Sequence, residues 1–573
     1  MQASSDVGAS RHGRADRIED RAIAMLAATD RGFLRRLSIL LGVSWGYHKA
    51  PRPAPPTLSS LVPRRFAVAL GSLAMVATAV SPAATMATGY NPALDVNSLY
   101  NTTLYTGAQA WWSAGYTGAG VDVAIIDTGV SPVEGLSTPG KVVYGPDLSF
   151  ESQDPSLQHL DTNGHGTFMA GIIAGRGSSA LPGGYAGNSS TFLGVAPDAR
   201  IVSLKVGVAD GGTDVSQVIA AIDWVVQHRN DNGMNIRVLN LSFGTDSNQS
   251  YLVDPLSFAV EQAWKAGIFV VVATGNEGYV ARTGTLTNPA YDPKIFAVGA
   301  SDSMGTLTQS DDMVATFSST GSNARYVDVV APGAHLVSLR VPGSYIDQVY
   351  RATGFVADGL FRGSGTSEAA AFVSGAAALA IQQRPGLSPD SLKKQFLSNT
   401  RSLIGFSSRR QGQGEVDMLK MLGSMAFNVP KQWNSVDWST GVGSLELSRG
   451  TDHLTRDGVL LVGDRDIFGH SFDSVAMAAL EAAAASWSGG VWNGNAWTGD
   501  GWAGNSWSGN SWSGNSWSGN SWSGNSWSGN SWSGNSWSGN SWSGNSWSGN
   551  SWSGNSWSGN SWSGNSWSGA YWS

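Results

Sequence analysis

The chain contains no cysteine. That absence removes a disulfide framework, a thiolate nucleophile and a cysteine-ligated zinc site, although it leaves export open. Charge is also scarce, at 13% of 573 residues, and forms no long run. The apolar stretch Phe66 to Val80 falls short of the roughly 20 residues that a membrane-spanning helix needs. Net charge is -7, yet residues 1–88 hold 11 Lys/Arg against 5 Asp/Glu, which leaves 24 against 37, or -13, for the rest. So acidic a remainder argues against nucleic acid as the main partner.

At the N-terminus, residues 1–63 are rich in Arg, Ala and Pro and have no apolar run on which to build a domain. They read as a basic, poorly ordered extension, or as the product of a start codon assigned too far upstream. Residues 64–88 follow the order of a secretory signal: Arg64-Arg65, then Phe66 to Val80, then small residues at Ala83, Ala84 and Ala87. A mature chain beginning near Thr88 is expected, with an N-terminal anchor as the competing reading and no membrane span once the signal is removed.

From Asn97 to Leu422 apolar strands alternate with amphipathic helices, the pattern of an α/β domain with a parallel sheet. Strands are expected at Val121 to Ile126, Ile201 to Val206, Ile236 to Leu241, Ile268 to Ala273, Ile295 to Val298 and Tyr326 to Val330. Helices are expected at Gly166 to Ala174, Asp214 to His228, after the Asp254 cap with Pro255, and along the alanine-rich run after Ser367. Asp127 and Asn276 then fall at the carboxyl ends of parallel strands, where open α/β sheets bind ligands. His165 and Ser367 each open a helix. A serine, a histidine, a carboxylate and an amide donor at one sheet edge are the residue types that acyl transfer requires. Each has a plainer reading: Ser367 as an N-cap, Gly-His-Gly as a turn, Asp-Thr-Gly as a strand end.

The stretches Ile125-Ile126-Asp127-Thr128-Gly129-Val130, Gly164-His165-Gly166-Thr167 and Gly365-Thr366-Ser367 resemble the signatures of the subtilisin-like serine peptidases, in that family's order. Gly194-Val195-Ala196-Pro197, Asn240-Leu241-Ser242-Phe243-Gly244, Gly275-Asn276-Glu277-Gly278 and Ala331-Pro332-Gly333 add to it. The resemblance implies a three-layer α/β domain with a mostly parallel central sheet over residues 97–422. It implies Ser367 as nucleophile, His165 as base and acid, Asp127 as the orienting carboxylate and Asn276 as oxyanion donor. Ser242, Phe243, Gly244, Thr274 and Gly275 would line the pocket before the scissile bond. Proteins or peptides would be the substrates. Catalysis would need no cofactor; structural calcium is usual in the family, but no ligand set here is specific enough to name.

Three departures accompany the resemblance. Glu368 stands where the family has Met after the serine, placing an anion beside the nucleophile. Ala371 replaces the Pro that usually closes that motif. About ten residues separate the signal from the domain, leaving no room for a folded propeptide. An aspartic peptidase would need a second Asp-Thr-Gly, and none is seen; an esterase would carry Gly-x-Ser-x-Gly around Ser367, which it does not. His159 rivals His165 but lacks the glycine-flanked helix start. An inactive relative serving as a binding module stays open.

Residues 423–485 form a connecting or accessory region of unassigned role. From Trp487 to Trp572 tryptophan recurs every five residues, 18 of the chain's 25, with Asp500 the only charge among Ser, Gly and Asn. A period of five keeps no constant face on a helix and alternates on a flat strand. A stacked solenoid with one short side per repeat could bury the rings together; otherwise the 486–573 tail reads as a flexible spacer or as a surface array of indoles for wall glycan or self-association, and wall binding would make the protein secreted or wall-associated.

Overall fold

Strand β1, Asp122–Asp127, is buried at all six positions, which requires a sheet covered on both faces. In the computed structural model, which describes residues 89–279, 284–424, 436–451, 453–456, 459–498 and 501–502, β1 lies inside a ten-stranded sheet. To one side stand β2 (Val142–Asp147) and β3 (Arg200–Lys205), with β3 next to β1. To the other stand β4 (Ile236–Leu241), β5 (Phe269–Ala273) and β6 (Phe296–Asp302), which carries the short β7 (Met313–Val314), and then β8 (Val329–Pro332). Every pairing from β2 across to β8 is parallel, with β7 antiparallel on β6. Strand order reverses around β1, and that reversal opens a crevice beyond its carboxyl end.

Helices cover the sheet, and their sequences explain their ends. Helix Val215–His228 starts at a reciprocal cap: Asp214 accepts from Ser216 N at 2.9 Å, and Gln217 accepts from Asp214 N at 2.7 Å. Helix Pro255–Lys265 has Pro at its start and Asp254 accepting from Ser257 N at 3.0 Å. Helix Thr366–Gln383 is buried from Thr366 through Ile381. Its small residues allow that depth: a Cβ on Gly375 would lie 2.7 Å from Val195 Cβ. The final expected strand begins three residues later than Tyr326, because Arg325 folds back on Asp328 at 2.8 Å and closes a loop first.

Sequence periodicity did not reveal the small antiparallel sheet of β9 (Leu336–Leu339), β10 (Phe355–Ala357) and β11 (Leu360–Gly363), with helix Tyr345–Gly354 inserted before β10. Strands of three or four residues carry too few alternations to be read.

The described part of 436–498 packs against the same domain. Arg449, 1% exposed, donates through Nε to Asp214 Oδ2 at 2.6 Å. One carboxylate thus caps a helix and anchors the C-terminal region. Burial alone would raise the Asp214 pKa, but Arg449 outweighs it and holds the group below the ordinary carboxylate range. The pair therefore contributes its full stabilisation at neutral pH and loses it as pH falls through that lowered value. Arg449→Ala should cost about 3 to 5 kcal/mol in urea unfolding at pH 7, because it strands a buried carboxylate; a loss below about 1 kcal/mol would show that the pair is replaceable.

The first tryptophans of the repeat are buried, unlike a surface array. Trp487, Trp492 and Trp497 are 8%, 0% and 6% exposed, and Trp497 lies 5.8 and 5.9 Å from the other two rings in edge contacts. Trp487 donates to Ala220 O and Trp492 to Asp223 Oδ2, both at 2.8 Å. The backbone is a meander of two- to four-residue arms in which Trp487 pairs with Trp492 and Trp497 with Trp502. Gly489-Gly490 and Asn493-Gly494 make the first two turns with positive φ throughout, as tight hairpins require. Five residues therefore carry the chain from one arm to the next. A truncation meant to spare these contacts must fall beyond Trp497. The N-terminal extension, the signal segment and residues 503–573 lie outside the described residues.

Candidate active site

Asp127 ends β1 and is fully buried. Its Oδ1 accepts from Thr128 N at 2.7 Å and faces His165 Nδ1 at 2.8 Å, with Oδ2 at 3.1 Å. The glycines beside His165 make this contact geometrically feasible. Gly164, the N-cap, has φ 105, and a Cβ on Gly166 would lie 2.2 Å from Gly129 O and 3.1 Å from Asp127 Oδ1.

Asp161, which the sequence reading missed, holds the loop together. Its Oδ1 accepts from Gly164 N at 2.7 Å and from Thr128 Oγ1 at 2.8 Å, while Oδ2 accepts from Thr167 N at 2.7 Å. The available signal was an Asp shortly before a glycine-flanked helix start, where unpaired N–H groups need an acceptor. Asn163 adds a second brace, accepting from His165 N at 3.2 Å and donating to Ala209 O at 2.8 Å.

Burial alone would push the His165 pKa down. Asp127 overcomes this by charge and hydrogen bond, with Glu368 and Asp161 adding to it, and the imidazole ends above its ordinary range.

Ser367, 4% exposed, is the second residue of helix Thr366–Gln383. Gly365 precedes that helix without a side-chain cap. Asn276 is fixed against the same turn, its Oδ1 accepting from Thr366 N at 2.9 Å and from Thr366 Oγ1 at 3.2 Å. With the amide oxygen so engaged, Nδ2 is the end left to donate. A Cβ on Gly365 would lie 3.4 Å from that nitrogen.

The expected pocket segments meet here as well. Gly244 and Gly275 both back onto Thr287, where added Cβ atoms would lie 2.3 Å from Oγ1 and 2.8 Å from Cγ2. Ser242 Oγ approaches Ser367 O at 3.5 Å; Ser242, Phe243 and Thr274 are buried. His159 stands apart, its ring 5.1 Å from that of Tyr144 and its backbone N–H donating to Asp147 Oδ2. Glu368 is 0% exposed and lines no open cleft. Among the described residues no group of three His, Asp or Glu is placed to hold a metal ion, and no helix is long and apolar enough to cross a membrane.

Serine protease AprX of Bacillus subtilis is 37% identical over 290 residues, which make up 50% of this chain and 62% of AprX. The match thus spans less than two thirds of that relative. Subtilisin Savinase of Lederbergia lenta is 35% identical over 310 residues, covering 54% of this chain and 93% of Savinase. A solved structure titled a cold adapted subtilisin-like serine proteinase is 31% identical, covering 53% of this chain and 88% of its own, with a TM-score of 0.38. The subtilase family profile matches residues 118–414. That span holds Asp127, His165, Asn276 and Ser367, and the chain belongs to the subtilase family.

Proposed function

We propose that the protein is an exported serine endopeptidase that hydrolyses peptide bonds through an acyl-enzyme. The observation that carries this reading is the buried His165–Asp127 pair, 2.8 Å apart, in the crevice that also receives the N-terminus of the Ser367 helix. His165 takes the Ser367 hydroxyl proton as Oγ attacks the scissile carbonyl. Asp127 keeps Nδ1 protonated, so that Nε2 is the basic nitrogen, and offsets the charge of the imidazolium. Asn276 Nδ2 and the Ser367 N–H stabilise the oxyanion. The imidazolium then protonates the leaving amine, the C–N bond breaks and Ser367 is left acylated; water, deprotonated by His165, reverses the sequence. Ser242, Phe243, Gly244, Thr274 and Gly275 form the wall for the residue before the scissile bond. This chemistry needs no cofactor.

Because Asp127 stabilises the imidazolium, the acid limb of activity should lie above the ordinary histidine value of about 6.5. Activity rises as the Nε2 proton leaves while Nδ1 keeps its own, and a limb well below this value would contradict the assigned base. Export rests on the order Arg64-Arg65, Phe66 to Val80, Ala83 to Ala87. A fluorophosphonate probe should form an adduct at Ser367, identified by peptide mass spectrometry. An unlabelled native protein, or an adduct elsewhere, would overturn the proposal.

A further inference from the structure

The region after residue 423 has no role legible in its sequence, yet its short helix Leu445–Arg449 reaches the segments that shape the substrate crevice. Ser448, in that helix, is wholly buried, and both of its oxygens are engaged there. Its carbonyl oxygen accepts from Thr245 Oγ1 at 2.7 Å. Its hydroxyl accepts from Asn288 Nδ2 and donates to Asp254 Oδ1, both at 3.1 Å. Thr245 directly follows Ser242-Phe243-Gly244, one wall of the expected pocket, and Asn288 directly follows Thr287, onto which Gly244 and Gly275 both back. These segments are also tied to each other. Thr245 N donates to Asn288 O at 3.0 Å, Asn288 N to Thr245 O at 2.8 Å, and Thr287 N to Thr274 O at 3.3 Å. Ser448 therefore bonds to both strands of the junction where the pocket walls meet.

Thr451 takes a second hold on the same wall. Its N–H donates to Asp246 Oδ1 at 2.6 Å and its hydroxyl to Asp246 Oδ2 at 2.5 Å. Gly450 permits this approach: its φ is 75, and a Cβ there would lie 2.9 Å from both the Asp246 carbonyl carbon and Ser247 N. Between these contacts Arg449 ties the same turn to Asp214. Resting on the reading of Ser242, Phe243, Gly244, Thr274 and Gly275 as the pocket before the scissile bond, we propose that Ser448 and Thr451 are positioning residues for that pocket. The C-terminal region braces the wall and so sets how closely the substrate side chain is held, since a binding site keeps its shape only as well as its supporting contacts do. A loosened wall gives up contacts that the bound substrate and the transition state share, which raises KM and leaves kcat in place.

The test compares the native full chain with Thr245→Val and Thr245→Ser on peptides that differ only in the residue before the scissile bond, with fluorophosphonate labelling to count active sites. Valine keeps the shape of threonine but loses the donor to Ser448 O. In Thr245→Val, KM should rise roughly three- to tenfold with kcat unchanged, and the spread of kcat/KM between the best and worst peptides should narrow by a similar factor. Ser367 should remain fully labelled. Thr245→Ser, which restores the hydroxyl, should return KM and the spread to native values. Native kinetics in Thr245→Val, or a loss confined to kcat, would overturn the brace and leave the peptidase assignment standing. A native protein that takes no label would remove the reading on which the proposal rests. Should Thr245→Val fail to fold, Thr451→Val at its exposed position decides: KM should rise about twofold or more, and an unaltered KM would overturn the proposal.

Discussion

Replacing Ser367 with alanine should lower kcat/KM on an unfolded protein substrate by on the order of 10⁶-fold, the size found when the nucleophile of a subtilisin is removed. The loss is large because the remaining groups act as a unit with the hydroxyl. Without Oγ, His165 has no proton to accept and no acyl-enzyme forms. Asn276 and the helix N-terminus would still bind an oxyanion, so residual hydrolysis above the water rate should persist. The fold should not suffer: Ser367 contributes no cap, since Gly365 starts the helix and Thr366 makes the contacts to Gly275 and Asn276. Unfolding curves matching those of the native protein would confirm that chemistry alone was lost. Retention of even a hundredth of the native activity would disprove the assignment.

Asp127→Asn should lower kcat by about 10⁴-fold while preserving the shape of the site. An amide at this position can donate to Nδ1, and it then favours the tautomer whose basic nitrogen faces away from the serine. The acid limb should also move to lower pH, because Asp127 opposes the burial that would otherwise depress the His165 pKa. Stopped-flow acylation with an activated ester across pH 5 to about 9 separates these effects. An intact rate with an unmoved limb would mean that the 2.8 Å contact plays no part in turnover.

Much of this site was legible in the chain because its residues sit at ends of elements. Asp127 closes an apolar run, His165 and Ser367 open helices, and Gly164 and Gly166 mark a sharp start. Local pattern is enough to find such positions. Asp161 was not legible, since its role lies in the partners it joins: Gly164, Thr167 and Thr128 are brought to it by the loop's closure. The same holds for Arg449, whose carboxylate partner is 235 positions away in sequence.

The fate of two residue classes depended on packing alone. Glu368 reads in the sequence as an anion beside the nucleophile, and only the tertiary structure encloses it, turned back toward Gly365. The tryptophan period suits neither a single helix nor a single strand, yet Trp487, Trp492 and Trp497 are buried together because short arms reverse at each turn. By itself the sequence determined the parallel α/β frame, the chain order of Asp127, His165 and Ser367 and the place of Asn276 just beyond a strand, because each depends on local periodicity or on residue type at an element's end. The three-dimensional structure alone decided the 2.8 Å reach of His165 to Asp127, the brace of Asp161, the enclosure of Glu368 and the docking of the C-terminal region through Arg449. Those depend on long-range burial, where the cost of an unpaired charge or polar group selects partners that no local pattern encodes.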